Sequence, residues 1–101
     1  MVKYQIMQIE DVEHCDYVFR GYSKEKFNIA DYEVAYEGEI QRTDEQDIDI
    51  CEILFYMFNV VRPKDFKGRS LSVSDVVAII DGQYKTMYYC DIVGWVRIKE
   101  I

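Results

Sequence analysis

Hydrophobic residues change their period along this chain, and the changes mark its elements. From Lys3 to Glu10, Tyr4, Ile6 and Gln8 alternate with Gln5, Met7 and Ile9, so apolar side chains fall on both sides of a first strand of mixed burial. Asp11 offers a helix cap, and Val12, Cys15, Val18 and Phe19 recur at helical spacing before Gly21, which predicts a short first helix. Tyr32, Val34 and Tyr36 alternate with Glu33, Ala35 and Glu37 in a half-buried second strand, with Gly38 marking a bulge or bend before Glu39 and Ile40.

Thr43-Asp44-Glu45-Gln46 has the form of a capping box, so a second helix is expected to begin there. Ile50, Ile53, Leu54, Met57, Phe58 and Val61 follow as one apolar stripe, and the early acids favour the positive end of the dipole. Pro63 ends the helix near Asn59 to Val61, and a basic connector runs from Arg62 to Arg69. Val76 to Ile80 is a branched apolar run, Asp81-Gly82 signals a hairpin, and Thr86 to Cys90 suits a strand. After a turn from Asp91 to Gly94, Trp95 to Ile98 forms a last short strand. The order gives an α+β fold: a single small domain over residues 1–101, with two helices against a mainly antiparallel sheet and a C-terminal β-meander.

Composition narrows the function classes. The chain has 101 residues, half of them hydrophobic, which is enough for one core without metal or disulfide staples. Its three cysteines, Cys15, Cys51 and Cys90, are odd in number and widely spaced, which reads as free thiols. No signal-like run opens the chain, and the longest apolar stretch, Ile53 to Phe58, is far short of a membrane span, so a cytoplasmic protein is expected. The net charge of −7 is uneven, with fourteen acids against five bases in residues 1–60 and five against seven in residues 61–101. Such a surface repels phosphates and anionic membranes, which argues against direct nucleic-acid or membrane binding and leaves a protein partner as the expectation.

One stretch stands apart. Phe66-Lys67-Gly68-Arg69-Ser70-Leu71-Ser72-Val73-Ser74-Asp75-Val76-Val77, continued by Tyr88-Tyr89-Cys90-Asp91 and Gly94-Trp95, resembles the signature of the YodL-like domain family. Asp16-Tyr17-Val18-Phe19, Tyr36-Glu37-Gly38-Glu39 and Phe58-Asn59 before Pro63 follow in the family's order, so the resemblance spans nearly the whole chain. Trp95 stands where a phenylalanine is expected and keeps an aromatic ring there. The resemblance implies a domain found in Firmicutes and their mobile elements, alone or within larger proteins, with no catalytic residues to carry over.

The signature supplies candidate contact residues: Arg69, Ser70, Ser72, Ser74, Asp75, Tyr89, Asp91, Gly94 and Trp95. Serine and aspartate before a strand more often bond their own backbone and shape the turn, whereas Tyr88, Tyr89 and Trp95 suit a recognition surface, with half of them expected in the core. His14 beside Cys15, with Cys90 and Asp91, raises a thiol-imidazole nucleophile, but neighbours on a helix point apart. No ligand spacing for a metal and no cofactor motif is present. Arg62, Lys64, Lys67 and Arg69 form a candidate basic patch, and Glu39, Asp44, Glu45, Asp47, Asp49 and Glu52 a candidate acidic one. The expectation is a small non-catalytic interaction or regulatory module. The alternative is an acidic mimic of DNA that inhibits a DNA-processing enzyme.

Overall fold

The computed structural model describes residues 1–98, and it realises the α+β class with one α-helix rather than two. The strands are β1 (Val2–Ile9), β2 (Tyr32–Ile40), β3 (Val76–Asp81), β4 (Tyr84–Cys90) and β5 (Trp95–Ile98), and the helix is α1 (Asp47–Val60). The sheet runs β2-β1-β3-β4-β5, antiparallel throughout, and β3, β4 and β5 form the expected meander. Asp81 pairs with Tyr84 across a two-residue turn begun by Gly82, at φ +62°.

Both faces of the sheet are covered, which is why apolar residues occupy both registers of β1. Tyr4, Ile6, Val77, Ile79 and Tyr88 meet Ile50, Cys51, Leu54 and Phe58 of α1, together with Phe66 and Leu71 of the connector. Met7, Ile9, Val76, Ala78 and Tyr89 face the other way and are roofed by Tyr17, Tyr22 and Phe27 from the long β1–β2 connection. Each fully buried large apolar side chain contributes about 1.5–3 kcal/mol relative to an exposed one.

The helix expected over Val12 to Gly21 is instead a series of turns. Local spacing is overruled by distant bonds: the Tyr17 hydroxyl donates to Asp31 at 2.7 Å, the Phe19 amide donates to Ser74 Oγ at 2.9 Å, and Phe19 takes φ +62°. The helical piece of this connection is a 3-10 turn, Ile29–Asp31. The helix start at Thr43 is also corrected. Thr43 bonds Glu45 locally, and α1 begins after Gln46, whose amide donates to Asp49 Oδ2 at 2.9 Å.

The apolar stripe of α1 is rotated from its expected position. Cys51 enters the core, whereas Ile53 and Val61 are exposed. Gly38 marks no bulge; the register slips at Ala35, between Tyr36 opposite Ile6 and Val34 opposite Met7. Gly38 makes room instead, because a Cβ there would lie 2.5 Å from the Tyr4 hydroxyl.

Candidate functional site

The signature separates into two places. Its first half is a buried polar knot under the connector. Asp75 and Ser74 have no exposed surface, and Gln8 of β1 is buried beside them. The Gln8 side chain pairs with the Arg69 backbone as a strand would: Nε2 donates to Arg69 O at 2.8 Å and Oε1 accepts from Arg69 N at 3.2 Å. A Cβ on Gly68 would fall 2.5 Å from that same Oε1, so only glycine lets the connector approach.

Asp75 Oδ2 accepts from the Ser72 amide at 2.9 Å and from Gln8 Nε2 at 3.1 Å, while Asp75 Oδ1 lies 3.8 Å from Arg69, a charge contact rather than a hydrogen bond. Burial pushes the Asp75 carboxyl up to about 6, against the opposing pull of the Ser72 amide, Gln8 and Arg69. Ser74, at φ +81°, donates its amide to Cys90 O, accepts the Phe19 amide on Oγ, and accepts the Tyr32 hydroxyl on its carbonyl at 2.5 Å. Tyr89 is wholly buried and donates to Arg20 O at 2.7 Å. These side chains fasten the connector, β4 and the β1–β2 connection to each other. Ser70 is exposed outside this knot.

The second half of the signature lines an open groove of about 330 Å³ between α1 and the β4–β5 turn. Glu52 and Phe55 of α1 form one wall, Leu71 to Val73 the floor, and Cys90 to Ile92 with Gly94 and Trp95 the other wall. Trp95 is half-buried, its ring edge-to-face with Phe55 at 6.3 Å and its Nε1 donating to Glu52 Oε1 at 3.0 Å. Asp91 Oδ1 accepts the Tyr22 and Ile92 amides, and Asp91 N bonds Gly94 O, so the turn is held from below. At its tip Ile92 and Val93 are 73% and 88% exposed, and Tyr56 and Val60 of α1 are exposed as well.

The acidic candidates do not form one array. Register places Glu39 beside Lys3, on the face away from α1. Asp47 is ion-paired with Arg42 and accepts the Tyr88 hydroxyl at 2.7 Å; burial alone would raise its carboxyl, but these partners hold it below the ordinary value. Glu45 folds back onto Thr43, and Asp49 takes the Gln46 amide. Asp44 and Glu52 are exposed.

Two of the basic candidates are engaged in structure. Arg62 donates to Gly68 O and sits over the Phe66 ring at 5.0 Å, and the Arg69 guanidinium lies over Phe19. Lys64 and Lys67 are exposed.

The proposed nucleophile set is dispersed. His14 pairs with Asp11 at 2.9 Å in a separate polar cleft with Cys15, whereas Cys90 lines the groove. Burial pushes the Cys90 thiol up to about 12, the opposite of activation. Among the described residues no group of three or more His, Cys, Asp or Glu is placed to hold a metal ion, and no helix is long and apolar enough to cross a membrane.

Sequence reading missed Gln8, Phe55, Ile92 and Val93. The available signals were a polar residue in an inward register of β1 and the surplus of apolar residues around α1. Compared with known proteins, residues 3–101 match the model of the YodL-like domain, whereas no curated protein and no solved structure matches the chain.

Proposed function

The chain belongs to the YodL-like domain family, and on that footing we propose that it is a small cytoplasmic interaction module that binds another protein and modulates it without chemistry of its own. The observation that supports this most is the groove between α1 and the β4–β5 turn. Signature residues line it, and it is rimmed by large apolar side chains that a lone domain gains nothing by exposing. The thiols at Cys51 and Cys90, buried and outside any disulfide, suit a reducing compartment.

The alternative of a phosphate-mimicking acidic array has less support, because Arg42 sits within it and Glu39 faces elsewhere. Affinity capture with three baits tests the interaction reading: wild type, Phe55→Ala/Ile92→Ser in the groove, and Lys64→Gln/Lys67→Gln in the connector. A partner held by wild type and the connector variant but lost by the groove variant is expected. Retention by the groove variant would move the binding site off the groove, and turnover of a small molecule with no protein retained would overturn the interaction reading.

A further inference from the structure

The walls of the groove carry one sign of charge. Glu52 on α1 and Asp91 at the turn are its two charged lining residues, beside Trp95 and Phe55. Glu52 accepts the Trp95 indole N–H inside the groove, and Asp91 accepts the Ile92 amide of the turn and the Tyr22 amide of the β1–β2 connection, which fixes both side chains in place. Among the described residues no lysine or arginine lines the groove.

Its volume of about 330 Å³ lies at the lower end of the roughly 300–1,000 Å³ typical of ligand pockets, so it suits one anchoring side chain better than a whole cofactor. A second copy would bring a chain of net charge −7 against an acidic rim, which like-charge repulsion opposes.

Resting on the interaction reading above, we propose that the groove receives a basic peptide segment of another protein. One large apolar side chain seats against Trp95 and Phe55, and a flanking lysine or arginine meets Glu52 and Asp91. The apolar anchor supplies affinity, and the acidic rim selects the partner and speeds encounter.

Trp95 is the single tryptophan, so its emission reports the groove directly. Three short peptides share a leucine–phenylalanine centre and differ in lysine, serine or glutamate flanks; each is titrated into the full chain at low and at physiological salt. Trp95 emission should shift with the lysine-flanked peptide. Serine flanks should bind about tenfold more weakly, the scale of two partly exposed charge pairs. Added salt should erode the difference.

Glu52→Gln and Asp91→Asn keep the acceptor oxygens of the frame, and each should weaken the lysine-flanked peptide while leaving the serine-flanked one and the thermal midpoint unchanged. Equal binding of all three peptides, or indifference to both substitutions, would overturn the basic partner and leave the groove reading standing. No emission change with any peptide would overturn both. Emission that depends on protein concentration without peptide would assign the groove to a second copy.

Discussion

Ser74 and Trp95 belong to one signature, yet Ser74 has no surface left and Trp95 lines an open groove. Around Ser74, each side chain is committed inward: Asp75 to the Ser72 amide and Gln8, Gln8 to the Arg69 backbone, Ser74 to Phe19, Cys90 and Tyr32. Around Trp95, the polar contacts support a rim while Phe55, Ile92 and Val93 are left facing water. One half of the motif is a fastening, where change should be felt as lost stability. The other half is a surface, where change should be felt as lost binding.

The largest expected effect is at the fastening. Asp75→Ala strands two donors under the connector, Ser72 N and Gln8 Nε2, at about 1–3 kcal/mol each, so urea unfolding near the ordinary carboxyl value of 3.8, where no ionisation cost is present, should show a loss of about 3 kcal/mol. A loss within about 0.5 kcal/mol, the range of a surface substitution, would move Asp75 out of the structural role.

Next comes the cost of the buried carboxylate. The Asp75 carboxyl sits at about 6 in the fold against 3.8 ordinarily, so between those values the folded chain holds a proton that the unfolded chain has released. The cost of ionisation is therefore absent below the ordinary value, grows as pH rises through the window, and is complete above about 6. Relative to Asp75→Asn, wild type should lose about 3 kcal/mol of stability across that rise. A difference independent of pH, read by denaturant unfolding, would contradict the assignment.

A smaller effect separates two substitutions at one site. Ser74→Ala and Ser74→Gly both remove the acceptor for the Phe19 amide, but glycine accepts φ +81° without strain. Ser74→Gly should be the more stable by about 1 kcal/mol in calorimetry; the reverse order would mean that backbone strain is not stored there. Smallest of all, Ile92→Ser/Val93→Ser should leave the unfolding free energy within about 0.5 kcal/mol while weakening capture of the partner. A clear loss of stability instead would make the turn tip part of the fastening.

The sheet and α1 were legible because their periods are local properties: alternation in β2, branched residues in β3, a Gly after Asp81, and Pro63 closing the helix. What escaped depends on distant partners. The spacing of Val12, Cys15 and Val18 is helical, but Tyr17 bonds Asp31 and Phe19 bonds Ser74, and no local window contains those acceptors. Gln8 likewise reads as an odd polar residue until the connector arrives beside it. Trp95 and Asp91 were identifiable as signature residues. Their meeting with Glu52 and Phe55 required the packing of α1 on the sheet.

Amide hydrogen exchange on the full chain, alone and with the lysine-flanked peptide, compares the two halves in one measurement. The account predicts that the amides of Ser74, Asp75 and Cys90 exchange only through global unfolding in both samples, since each is bonded within the knot. Those of Ile92 and Val93 should exchange fast in the free chain and slow when peptide is added. Fast exchange at Ser74 and Asp75 in the free chain, or protection by peptide confined to them, would contradict the division of the signature into a fastening and a docking surface.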